Sequence, residues 1–283
     1  VRFAKEHESR HGLASQQAIV PVIDCHAHLA IEAFDADRQQ VLGRARAAGV
    51  ECILVVGEDA EDNQRVLHLC GLHADVLRPC VGFHPDRFSE EITVPRGEAV
   101  EAVAQLARDH CTELVAIGEV GLDYWYVKSD ERRAAQRACL ERMVALADEL
   151  ALPLNVHSRA AGHHTLDLLA ACGARQVLMH AFDGKAGYAT RAAETHGYLF
   201  SIPPSVVRSG QKQKLVRRLP LEALMLESDS PVLGPRADAR NEPANLVHAV
   251  RCIAQIKGVS EDTVREVTTR NARRLFSLGA EDV

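Results

Sequence analysis

The 283-residue chain has no apolar run long enough to cross a bilayer, which excludes a helical membrane-spanning role. Aromatic residues make up only 4% of it, too few for an extended base-stacking platform. None of its eight cysteines (25, 52, 70, 80, 111, 139, 172 and 252) belongs to a Cys-x-x-Cys pair, and most have apolar neighbours. Neither a zinc knuckle nor a disulfide framework is therefore expected, and the compartment is read as a reducing, intracellular one, cytoplasmic or nuclear. Positive charge is also lacking: a formal net charge of -6 argues against a broad basic surface that coats nucleic acid. A small positive mouth stays compatible with it, because bound metals lie outside that count. Residues 1–17 lack the apolar stretch of a secretory signal and the chain opens on Val, as a processed or truncated form, or one missing its true start, would.

What is present is a repeated unit. Short apolar runs at Ile19–Asp24, Cys52–Val56, Leu77–Gly82, Leu114–Gly118, Pro153–His157, Gln176–His180, Tyr198–Ile202 and Ala223–Glu227 read as strands buried on both faces. Helical stretches lie between them, and two more follow the eighth run, near Pro243–Ile256 and Glu261–Phe276. One strand and one returning helix per unit predicts an α/β chain, a TIM-type (β/α)8 barrel, with a doubly wound open sheet as the alternative. The expected organisation is a single barrel domain over residues 19–280 after an N-terminal extension at 1–18, with Pro85–Arg96 as a long loop over the third strand. A monomer is the expected state.

Metal-ligating side chains gather at the predicted strand ends. His26 and His28 stand two apart, and a strand's period of two sends both imidazoles to one side. Neutral imidazoles suit zinc and other first-row divalent ions, and Asp24 is placed to hold a ring orientation from behind. Alone, His-x-His is equally a polar pair in a loop; its position after an apolar strand, with partners at later strand ends, favours metal. Glu119 would be costly to bury unless paired or metal-bound, and its two oxygens can bridge two cations; a plain salt bridge is the alternative. His157 and His180 close the fifth and sixth strands and can supply nitrogens to a second ion about 3.5–4 Å from the first. Asp229, in Glu227-Ser228-Asp229-Ser230-Pro231, can bind the first ion and accept a proton from metal-activated water, while Glu227 orients a neighbour or serves structure.

Around these, Arg159 offers a planar fork for a substrate anion and His84 a hydrogen bond to a leaving oxygen or a phosphate. The loop from Pro203 to Gly210 leads to Lys212, Lys214, Arg217 and Arg218, a candidate phosphate-binding stretch in which the two arginines read as a solvated helix face. Phe182 and Tyr124-Trp125-Tyr126 are candidate walls for a base or sugar.

Several phrases resemble the TatD family of metal-dependent deoxyribonucleases, within the amidohydrolase-type barrels, and most closely its TatD domain-containing 3 branch. They are Val22-Ile23-Asp24-Cys25-His26-Ala27-His28, Gly82-Phe83-His84-Pro85, Ile117-Gly118-Glu119-Val120-Gly121-Leu122-Asp123, His157-Ser158-Arg159, His180-Ala181-Phe182-Asp183-Gly184 and Glu227-Ser228-Asp229-Ser230-Pro231. Arg240-Asn241-Glu242-Pro243 and Thr269-Arg270-Asn271-Ala272 extend the likeness. The resemblance implies two divalent ions (Zn, Mn or Mg), one held by His26, His28, Glu119 and Asp229, the other by Glu119, His157 and His180. It also implies hydrolysis of DNA phosphodiester bonds from an exposed 3′ end, with Arg159 and His84 holding the phosphate and single strands or chain ends as partner. Ser228 stands where the family commonly has Thr, and the phrase after His180 also departs from the family's usual residues. Hydrolysis of a small phosphate ester, lactone or amide on the same frame is the alternative reading; Glu119, where a carbamylated lysine would otherwise bridge, favours the nuclease.

Overall fold

The computed structural model describes residues 19–92 and 96–279, so the expected extension at 1–18 lies outside the described residues. Strands and helices alternate as β1 (Val22–Ala27), α1 (Arg38–Ala47), β2 (Val50–Val56), α2 (Ala60–Leu72), β3 (Leu77–Val81), α3 (Arg96–Asp109), β4 (Ala116–Gly121) and α4 (Asp130–Leu150). The series continues with β5 (Leu154–His157), α5 (Gly162–Ala171), β6 (Val177–Met179), α6 (Ala186–His196), β7 (Leu199–Ile202), α7 (Gly210–Arg218) and β8 (Leu224–Leu226), then α8 (Leu246–Lys257) and α9 (Glu261–Phe276). Polar residues start several helices where the first N–H groups lack partners: Asp59 accepts from Glu61 and Asp62 before α2, and Ser129, Ser209 and Ser260 do the same for α4, α7 and α9.

Every neighbouring pair of strands is parallel, and the sheet order follows the chain from β1 to β8. A doubly wound sheet reverses its order partway across, whereas this one curls round as a TIM-type barrel. The seam between its first and last strands is joined just past β8, where Asp229 N–H donates to the His26 carbonyl and His28 N–H to that of Ser230, both at 2.9 Å. At the other end, α9 closes the bottom. Asn271 Nδ2 donates to the carbonyls of Leu221 and Leu224, while Thr269 Oγ1 donates to that of Pro21.

Strand residues such as Ile53, Leu54, Val55 and Ile117 are fully buried between barrel interior and helices. Each such side chain contributes about 1.5–3 kcal/mol relative to exposure.

Two strand boundaries differ from the sequence expectation in a way that matters for chemistry. β1 begins at Val22 rather than Ile19 and runs through His26, and β4 runs through Glu119 to Gly121. Polar residues do not end these strands because the barrel interior supplies their partners. Pro85–Arg96 is not all loop: Pro85–Phe88 forms a 3-10 turn and Arg96 opens α3.

Candidate metal centre

The parallel strands all point their C-terminal ends to one mouth, and the inward residues there converge on Glu119. Its carboxylate is 1% exposed. One oxygen, Oε1, lies 2.7 Å from His157 Nδ1, 2.9 Å from His180 Nε2 and 3.3 Å from His84 Nε2. The other, Oε2, lies 3.2 Å from both His26 Nε2 and His28 Nε2. Asp229 Oδ1 completes that side at 3.8 and 3.7 Å from the same two nitrogens. Among the described residues this gives three overlapping groups with ligand atoms within 4.8 Å of one another: His26–His28–Asp229, His26–Glu119–His180 and His84–Glu119–His157.

Close backbone packing makes the convergence possible. A Cβ at Gly82 would stand 2.4 Å from the Glu119 carbonyl, and one at Gly121, whose φ is +150°, would stand 2.1 Å from that of His157. Glycine at these positions lets β3, β4 and β5 approach closely enough for Glu119 to reach both sides. Asp229 itself has φ +51°, a left-handed conformation that is rare for a residue with a side chain. Its turn is held by the hydrogen bond to His26 and by Asn241, whose Nδ2 donates to the Ser228 and Val232 carbonyls at 2.6 and 2.8 Å.

Three of the imidazoles meet a polar side chain from behind. His26 Nδ1 meets Asn155 Oδ1 at 2.9 Å, and Asn155 Nδ2 donates to the Cys25 carbonyl. His157 Nε2 faces Asp123 Oδ2 at 3.1 Å, and His180 Nδ1 faces Glu227 Oε2 at 3.4 Å. Asp24, expected to orient a ring, instead accepts the backbone N–H of Ser228 at 2.7 Å and of His26 at 3.3 Å. It sits one inward position deeper than His26, against β8 rather than beside an imidazole. Asn155 and Asp123 were not singled out by sequence reasoning for these roles. The available signal was a polar residue two positions before His157 in an otherwise apolar strand, and an acid two positions after Gly121.

Electrostatics agree with the geometry. Burial works against ionised Glu119, yet His84, His180 and His26 together hold it well below the usual carboxylate range. Burial pulls His180 down, but Glu119 and Glu227 outweigh it and raise the ring to about 10. His28 and His84 are likewise raised, in spite of burial, by Glu119 with Asp229 and Glu58, and by Glu119 with Asp86, respectively. Asp24 shows the opposite balance: burial pushes it up to about 7, and its Oδ2 has no hydrogen-bond partner. Glu119 is thus an anion shared by imidazoles whose protons a cation would displace.

The residues fit two divalent ions. Glu119 Oε2 is buried, lies 3.2 Å from two imidazole nitrogens and makes no hydrogen bond. His26 Nε2 and His28 Nε2 face each other 3.3 Å apart, and two nitrogens on one tetrahedral ion stand roughly 3.4 Å apart.

The six expected ligands, His26, His28, Glu119, His157, His180 and Asp229, all reach the floor of one cavity of about 670 Å³ or the layer just beneath it. His84 stands in the same cluster, with Nδ1 2.7 Å from Asp86. Arg159 lines the wall, and Lys212 reaches it by donating from Nζ to the Ala181 carbonyl at 3.0 Å. Lys214, Arg217 and Arg218 are exposed and line a separate surface hollow. Phe182 is buried and packs edge-on against Phe200, so it walls no substrate space. Glu58, not anticipated, borders the cavity with Oε1 3.5 Å from His28 Nδ1.

An eight-stranded parallel barrel with overlapping His/carboxylate groups at its mouth is a metal-dependent hydrolase. The model of the family described as TatD related DNase matches residues 23–277, and the chain belongs to that family. It stands close to the TATDN3 branch: it is 47% identical to the TATDN3 protein of Mus musculus over 262 residues, 90% of this chain and 88% of the relative. It is 32% identical over 268 residues to the 3′-5′ ssDNA/RNA exonuclease TatD of Erwinia tasmaniensis, covering 91% of this chain and all (100%) of the relative. Among solved structures, YJJV, a TatD homologue from Escherichia coli K12, superposes with a TM-score of 0.81 at 26% identity, over 91% of this chain and 98% of that one. No helix among the described residues is long and apolar enough to cross a membrane.

Proposed function

We propose that the chain hydrolyses DNA phosphodiester bonds, removing nucleotides from exposed 3′ ends of single strands. The observation that carries this reading is Glu119, one buried carboxylate whose two oxygens face two separate imidazole groups on a single cavity floor. His26, His28, Glu119 and Asp229 would hold one divalent cation, and Glu119, His157 and His180 would hold the other. Zn, Mn and Mg all suit a mixed set of imidazoles and carboxylates. When bound, the two ions polarise the phosphoryl oxygens and make a water acidic near neutral pH.

The chain's own groups do the rest. Asp229 is the proton acceptor for the attacking water, its carboxylate aimed into the cavity by the left-handed turn. Arg159 lines the wall with its guanidinium and binds a phosphoryl oxygen, and His84, in the same cavity lining, contacts the same phosphate. Asn155, Asp123 and Glu227 fix the tautomers and rotamers of His26, His157 and His180. The name of the Erwinia relative supports a single strand entered from its 3′ end. Eight free cysteines, five of them buried, support an intracellular, reducing setting, cytoplasmic or nuclear.

The test is cleavage of 3′- and 5′-labelled single-stranded and duplex DNA by metal-stripped protein resupplied with Mg²⁺, Mn²⁺ or Zn²⁺, alongside His157→Ala. Stepwise shortening from the 3′ end, dependent on the ion and lost in the variant, is the expected result. Absence of DNA cleavage with every ion, with turnover of a lactone or amide instead, overturns the reading.

A further inference from the structure

Next to the cavity stand the two most exposed aromatic rings among the described residues, with Tyr126 in the cavity lining. Trp125 and Tyr126 are 56% and 52% exposed, in the turn that follows β4. This turn is built, not loose: the N–H groups of both residues donate to Asp123 Oδ1, at 2.7 and 2.8 Å. The other oxygen of the same carboxylate faces His157 Nε2 at 3.1 Å, so one side chain ties the two rings to the metal cluster.

Cations accompany the rings. The Arg159 guanidinium lies 5.2 Å from the Trp125 ring centre and 5.0 Å from that of Tyr126, and Lys128 Nζ lies 5.4 Å from Trp125. Among the described residues no carboxylate pairs with Arg159 or with Lys128, whose Nζ donates to the Tyr124 carbonyl at 3.2 Å, whereas Arg44, Arg87, Arg108 and Arg142 each pair with an acid. Tyr126, Arg159 and His157 line the same cavity. Exposed aromatic faces beside cations that no carboxylate neutralises suit an unpaired nucleic acid strand, whose bases stack on the rings while its phosphates meet the charges. Bases in a duplex are already stacked on one another and offer no free face. The low aromatic content of the chain excludes an extended platform but not a seat for one base.

We propose that Trp125 and Tyr126 form a stacking seat for one unpaired nucleobase beside the phosphate that enters the Glu119 centre, with Arg159 reaching from the rings to that phosphate and Lys128 meeting the next one along the strand. This rests on the phosphodiesterase reading above and deepens it: the seat makes unpaired ends the preferred substrate.

Trp125 is the single tryptophan of the chain, so its emission reports on this seat alone. The first arm titrates the metal-loaded protein with short oligothymidylate carrying uncleavable phosphorothioate linkages, and separately with tripolyphosphate, which brings charge without a base. Quenching by the oligonucleotide and not by tripolyphosphate is expected; equal response to both, or to neither, overturns the proposal. The second arm compares cleavage of single-stranded DNA by the parent, Trp125→Ala and Trp125→Phe, each checked for fold by circular dichroism and for metal content. One lost stack raises KM by about tenfold with kcat changed less than about twofold, and Trp125→Phe restores most of the loss. Unchanged KM in Trp125→Ala also overturns it. If the parent quenches with oligonucleotide yet cleaves no DNA, the phosphodiesterase reading fails while the base seat stands.

Discussion

The two ends of the barrel are closed by the same strands yet hold opposite contents. The N-terminal end borders the larger hollow, about 790 Å³ between the end of α4 and the start of β5 and β6, and its lining includes Ala147, Leu154, Cys172, Asp148 and Arg175. Its charged groups are exposed, and Arg175 pairs with Asp148 at 3.0 Å with side chains 82% and 74% exposed. The C-terminal end has the smaller cavity, but there the titratable groups are buried and share partners around Glu119. Size therefore does not mark the chemistry. What does is carboxylates and imidazoles that are too buried for water to satisfy and too close together to be independent.

Changes to the shared partner sharpen this contrast most. Glu119→Gln keeps the shape and removes the charge both groups use, so bound metal and turnover should collapse together, turnover by at least about 10³-fold. Metal analysis of purified protein and the single-strand cleavage assay read the two effects; a variant that keeps two ions breaks the account of Glu119 as a bridge. Asn155→Ala leaves every ligand in place and frees the back of the His26 ring together with the Cys25 carbonyl next to it, with an expected 10- to 100-fold loss in metal affinity or activity, the usual range for such supporting groups. A loss no larger than twofold would show that His26 is held by other means.

pH offers a smaller, graded test. His180 is raised from 6.5 to about 10 by Glu119 and Glu227 against the pull of burial, so in the metal-free protein it carries a proton that an ion must displace. Metal affinity should accordingly climb with pH towards 10, and binding at pH 8 should release protons, visible as a dependence of the calorimetric heat on buffer ionisation. Heats identical in all buffers would deny this. The stabilisation of the metal-free fold by this raised ring is complete below 6.5 and is lost as pH rises through about 10. At the opposite end of the barrel, Arg175→Ala removes an exposed ion pair and should leave turnover and melting temperature nearly unchanged, since such pairs contribute about 0–1 kcal/mol. A clear loss of activity there would erase the contrast between the ends.

The barrel was legible because its strands are buried on both faces, and eight apolar runs separated by helices leave a small choice of architectures. The clusters were legible because histidine and acid at strand ends fall on one rim. The supporting groups were harder to see. Asn155 sits inside an apolar strand and Asp24 reaches across the β1–β8 seam, so their partners depend on the contacts that barrel closure creates and not on spacing along the chain. Phe182 shows the same limit from the other side: beside His180 in sequence, it turns into the core against Phe200. The phrases around Arg240 and Asn271 turned out to be architectural, one holding the Asp229 turn and the other capping the barrel's base.

The most direct measurement is a titration of metal-stripped protein with Mn²⁺, following bound ion per chain and DNA cleavage in the same samples. Two ions bound per chain, with turnover appearing as the second site fills, is the result expected if Glu119 joins two cations. Full turnover in the presence of chelator, or saturation at a single ion with turnover already maximal, would contradict the account at its centre.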